Sequence, residues 1–174
     1  MVGYGFTLAV GIICIVLGVL AGWYLTGHKY CIQLNSSNNL ICKSQEIIRI
    51  YDVWMMVNES GKSIGQFLKE HNIRKVAVYG MAALGIRLYY ELQREDDIEV
   101  KYALDQNPQT QIPGIDIYKP NAEIDDTVDA VIVTALRSYD VVSANLREKG
   151  YTKVLALDEI LYDMLIGVEN DKIL

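Results

Sequence analysis

The arrangement best suited to chemistry lies in seven consecutive residues, Tyr79-Gly80-Met81-Ala82-Ala83-Leu84-Gly85. They follow a short β-rich run, Lys75 to Tyr79, and open a stretch with Leu84, Ile86, Leu88, Tyr89 and Leu92 at helical spacing. A glycine at the first position of such a strand-to-helix turn permits a tight reversal. A glycine at the last lets the helix approach the sheet. The amides at a helix start have no partner within the helix, so they can bind a phosphate. Where a G-x-G-x-x-G turn has its middle glycine, to let backbone approach a pyrophosphate, this chain has Ala82, whose methyl narrows the space. Asp105 lies 25 positions after Gly80, at the end of a second β-rich run. Its carboxylate suits two roles: accepting from ribose hydroxyls, or starting a turn with Asn107-Pro108.

A catalyst is not expected in this chain alone. None of the 12 tyrosines has a lysine four positions on, the pair a short-chain dehydratase or epimerase would use for proton transfer. Beyond residue 73 there is no histidine and no cysteine, so the usual base and thiol nucleophile are absent, and Ser138 and Ser143 lack a histidine partner. Glu95-Asp96-Asp97 and Asp125-Asp126 fall in connecting segments and read as solvated charges. Acid/base work at Asp105 or Asp140 is the enzymatic alternative. His71 reads as a surface residue near the end of a short helix. The net charge of -6, with no Lys/Arg cluster, argues against a nucleic-acid partner.

The elements that must hold the loop alternate along the chain. Strands are predicted at Lys75 to Tyr79, Ile98 to Leu104, Ile115 to Tyr118, Asp129 to Thr134 and Lys153 to Leu157. Helices are predicted at Leu84 to Glu95, at Tyr139 to Lys149 with a stop at Gly150, and from an Asp158 cap to about Ile166. Such alternation implies an α/β domain with a parallel, Rossmann-like five-stranded sheet in the order 3-2-1-4-5. Its ligand crevice would lie at the carboxyl ends of strands one and four, where the order reverses.

Upstream, Tyr4 to Leu25 holds 22 residues without a charge, and about 20 apolar residues span a bilayer core as a helix. Tyr4, Trp23 and Tyr24 read as interfacial aromatics. A cleaved signal peptide is the rival reading, but no Lys or Arg precedes the run and no Ala-x-Ala site follows it. Lys29 and Lys43 follow the helix, which places the C-terminal bulk in the cytoplasm and makes this a single-pass inner-membrane protein. Gly18 and Gly22 form a GxxxG pair that would let two helices meet in a homo-oligomer. Cys14 reads as a small hydrophobe. Cys31 and Cys42 stand beside the membrane, where lipidation is the alternative to a free thiol, and three scattered cysteines make neither a disulfide framework nor a metal site.

Asn35 to Asn39 is a polar break. After it, Ile47, Ile50, Tyr51, Trp54 and Val57 recur at helical spacing over Lys43 to Asn58. This helix either packs on the domain or, through Trp54, Met55 and Met56, serves the membrane surface or self-association. A second short helix is expected from Ser63 to His71. The chain thus divides into an anchor (1–27), a juxtamembrane linker and helical connector (28–72) and a Rossmann-like domain (73–174).

The strings VAVYGMAALGIRLYYEL, YALDQNP, IPGIDIYKP, DAVIVTALRSYDVV and LALDEIL, in that order, resemble small Rossmann-like domains of bacterial capsule and exopolysaccharide loci. Similar domains precede the catalytic parts of sugar acyltransferases and of membrane nucleotide-sugar dehydratases. The resemblance covers about Ile73 to Leu165. It implies that Gly80, Met81, Ala82, Ala83, Leu84, Gly85 and Asp105, with Thr134 and Ala135 after strand four, contact NAD(P) or a nucleotide-sugar. It also implies a partner among polysaccharide enzymes. The expectation is a membrane-anchored nucleotide- or nucleotide-sugar-binding module in surface-polysaccharide biosynthesis; the alternative is a degenerate scaffold acting through protein contacts.

Overall fold

The computed structural model describes residues 41–108, 111–124 and 126–171. The apolar segment Tyr4–Leu25, the Gly18/Gly22 pair, Cys14, Cys31, the Asn35–Asn39 break and Asp125 lie outside the described residues. Among those described, no helix is long and apolar enough to cross a membrane. The chain divides into two units, Met1–Glu46 and Ile47–Leu174, and the α/β domain belongs to the second.

The described chain opens with helix α1 over residues 41–59 and continues with α2 (Ile64–Glu70). Then follow β1 (Lys75–Tyr79), α3 (Ala83–Leu92), β2 (Glu99–Leu104), β3 (Ile117–Tyr118) and β4 (Ala130–Val133). A 3-10 turn (Leu136–Ser138) leads into α4 (Tyr139–Glu148), β5 (Val154–Ala156) and α5 (Leu157–Asp171). The five strands form one sheet in the order β3-β2-β1-β4-β5, and every pair is parallel. The predicted strand order holds. Parallel strands covered on both faces need continuous apolar runs, and β4, AVIV, is buried at all four positions.

Side chains alternate between two cores. Val76, Val78, Ala103, Ala130 and Ile132 face a core shared with α1, α2, α3 and α5. Ala77, Tyr79, Tyr102, Leu104, Val131 and Val133 face a second core, covered by Val142 and Leu146 of α4. Among the described residues, four helices thus cover one face and α4 the other. Trp54 of α1 is 1% exposed, and its indole N–H donates to the Glu91 carboxylate of α3 at 2.7 Å. Of the two readings of this helix, packing on the domain is the one the structure shows for Trp54. Met55 and Met56 face outward.

Several boundaries move. Asp158 does not cap α5, because that helix starts at Leu157, directly after β5. Leu157, the first residue of α5, is fully buried in the core. α3 stops at Leu92, and Glu95 beyond it bonds to Ser63 and Lys69. β3 is two residues long, preceded by Gly114 at φ +86°. Ser63 caps α2 in a reciprocal box with Gln66.

Candidate functional site

Gly80 leaves the sheet with its N–H still bonded to the Leu104 carbonyl at 2.8 Å. Its φ is +94°, a region open to glycine at little cost. α3 then starts so close behind the turn that a β-carbon on Gly85 would lie 1.9 Å from the Gly80 carbonyl oxygen. The glycine spacing read from the sequence therefore has a steric cause. Ala82 is the N-cap, extended at φ -86° and ψ -164°, and makes no side-chain cap bond. Met81, Leu84 and Gly85 are buried, whereas Ala82 and Ala83 are exposed. Of the six predicted loop residues, these two meet solvent at the helix end.

Asp105 is brought to the loop by register. Tyr79 pairs with Leu104, so the residue after each strand meets its neighbour. One carboxylate oxygen accepts from the Met81 N–H at 2.6 Å, and the other from the Asn107 N–H at 2.8 Å. The turn role expected of Asp105 is present. The strand order read from the sequence already set β2 beside β1; the bond from the Met81 N–H to the Asp105 carboxylate depends on side-chain orientation, which spacing does not give. Each oxygen keeps a further lone pair, so a ribose hydroxyl can still be accepted.

Thr134 and Ala135 do stand beside the glycine turn. The Thr134 hydroxyl donates to the Gly80 carbonyl at 2.6 Å, and its N–H to the Tyr79 carbonyl at 2.9 Å. Thr134 is therefore a buried brace that fixes the turn, with its hydroxyl aimed inward. Ala135 lies next to Gly80 and is half-buried. Asp140 sits exposed in the first turn of α4. Among the described residues no group of three or more His, Cys, Asp or Glu could hold a metal ion.

A groove and a cleft among the described residues bear on the site. A groove of about 390 Å³ begins at Tyr79 and Gln106, beside the glycine turn, and runs between α4 and Pro120-Asn121. A larger cleft, about 540 Å³, lies between α2 and α5 with Phe67, His71, Asp163 and Met164 in its walls. The groove adjoins the carboxyl ends of β1 and β2, where parallel sheets place their ligands. The cleft lies between helices, away from those strand ends.

A parallel sheet ordered 3-2-1-4-5, with a glycine turn after β1 and an adjoining groove, defines a Rossmann-like α/β domain. No family model, no curated protein and no solved structure matches this chain.

Proposed function

We propose that this chain is a membrane-tethered module that binds a nucleotide or nucleotide-sugar, with a phosphate seated at the start of α3. It would present that ligand at the inner leaflet to an enzyme of bacterial surface-polysaccharide assembly. The observation that carries the reading is the α3 start itself: exposed at Ala82 and Ala83, with no side chain capping it, beside the point where strand order reverses. Helix-end amides without an internal partner favour an anion. The resemblance of its strings to capsule-locus domains supports the pathway, and the apolar Tyr4–Leu25 segment supports the tether. NAD(H) and UDP-sugars are the ligands to try.

Ala82→Asp separates binding from folding. An aspartate in this extended N-cap supplies the missing cap, a gain of about 0.5–2 kcal/mol, and places a carboxylate where the phosphate would sit. Calorimetry on the full chain should show a UDP-sugar or NAD(H) binding to the wild type. The variant should melt higher and bind at least tenfold more weakly. Silence of the wild type across the panel, or equal binding by the variant, sinks the reading.

A second reading, a scaffold that pairs with another copy of itself, draws on α1. Ile48 and Met55 are each 58% exposed and Met56 54%, while the opposite side of the helix is core. Trp54→Ala cannot test it, since that residue is buried. Met55→Lys with Met56→Lys should abolish crosslinked dimers in membranes and spare nucleotide binding if the scaffold reading holds.

A further inference from the structure

The β3-to-β4 crossover, residues 119–129, has no helix or strand among its described residues, so the groove is walled by α4 on one side and by coil at Pro120-Asn121 on the other. The groove floor is aliphatic, from Val142 and Leu146. Its rim carries six hydrogen-bonding side chains: Tyr79, Gln106, Asn121, Asn145, Glu148 and Lys149. Their existing bonds decide what remains. The Gln106 amide N–H donates to the Tyr79 hydroxyl oxygen at 3.0 Å, which leaves the phenol proton and the Gln106 carbonyl. The Lys149 ammonium donates to the Asn121 side-chain oxygen at 3.0 Å and to the Pro120 carbonyl, which leaves the Asn121 amide protons. Asn145 adds an amide of both kinds on the exposed side of α4.

We propose that this groove is a sugar-binding site for an uncharged, hydroxyl-rich ring. Donors and acceptors both border an apolar floor, and each sugar hydroxyl is both donor and acceptor around a ring with an apolar C–H face. A nucleobase carries its polar atoms only in the ring plane and has two apolar faces, whereas this groove offers a single apolar floor. A phosphate would meet a single cation, already bonded and next to Glu148. The volume falls within the roughly 300–1,000 Å³ of small-ligand pockets, near its lower end. The site does not depend on the phosphate reading of the α3 start.

The test is an NMR titration of the full chain in nanodiscs with glucose, galactose and N-acetylglucosamine, and uridine as the competing ligand. At least one sugar should shift the Asn145, Asn121 and Gln106 amide resonances. Asn145→Ala, a change that favours the helix, should weaken that binding at least fivefold with a melting temperature no lower than that of the wild type. Ala82→Asp should leave it intact. Uridine shifting these amides while sugars do not overturns the proposal, as does an absence of any shift or sugar binding indifferent to Asn145→Ala. Nucleotide binding without sugar binding removes the groove alone, and the converse removes the α3 phosphate seat alone.

Discussion

A β-carbon at Gly85 would meet the Gly80 carbonyl oxygen at 1.9 Å, and that oxygen is itself held by the Thr134 hydroxyl at 2.6 Å. The carbonyl cannot retreat without breaking its bond, and α3 cannot retreat without opening the Leu84 and Leu88 core. Gly85→Ala should therefore cost at least the upper end of the roughly 1–3 kcal/mol of overpacking. Thr134→Val keeps the shape and removes the hydroxyl, so it should cost about 1 kcal/mol for a half-buried carbonyl left without its donor. Urea unfolding of both variants checks the order; a Gly85→Ala protein as stable as wild type would refute the steric account. The two glycines were legible in the sequence because steric demands act on neighbours in the chain. The Asp105 clamp on Met81 and the inward aim of Thr134 were not, because both depend on how side chains orient across neighbouring strands.

At the scale of elements, the end of α3 and the turn after it fasten the preceding helices through two carboxylates, Glu91 on the helix and Glu95 beyond it. Glu91 accepts from the Trp54 indole at 2.7 Å and from the Ile64 N–H at 3.2 Å. Glu95 accepts from the Ser63 hydroxyl at 2.8 Å and from Lys69 at 3.0 Å. Glu91→Ala leaves a buried indole N–H without an acceptor, an expected loss of about 1–3 kcal/mol, read from thermal midpoints. Acid should loosen the same joint. The Lys69 hydrogen bond first, and then Ser63, hold Glu95 below the ordinary carboxylate range. The Lys75 and then the Arg74 backbone N–H groups do the same for Asp129. Groups with depressed pKa stabilise the fold above that range and lose the contribution as pH falls through it. The midpoint should fall below about pH 4, less steeply in a Glu95→Gln, Asp129→Asn double variant; parallel curves would show that other groups govern acid stability. Strands such as β4 were legible from their apolar runs. The 3-10 turn after it, the short β3 and the early end of α3 were not, since Glu95 is claimed by α2 rather than by its own helix.

For the molecule as a whole, the proposed tether is tested by asking what would hold an acidic domain at a bilayer. All formal charge lies beyond Gly27 and sums to -6, so anionic lipid repels this domain. If the domain is tethered as proposed, the Tyr4–Leu25 segment must supply the attachment. Full-length protein should sediment with membranes and resist carbonate, while residues 43–174 stay in the supernatant. Lys29 and Lys43 on the C-terminal side predict a cytoplasmic domain. Cys42, exposed and free, reports that side. In a Cys31→Ser background, a membrane-impermeant maleimide should leave intact cells unlabelled at Cys42 and label it once the inner membrane is permeabilised. Labelling of intact cells would reverse the orientation and remove the domain from cytoplasmic nucleotides. Recovery of a soluble protein lacking residues 1–27 would instead mean that the apolar segment is cleaved, and that the ligand is met away from the membrane.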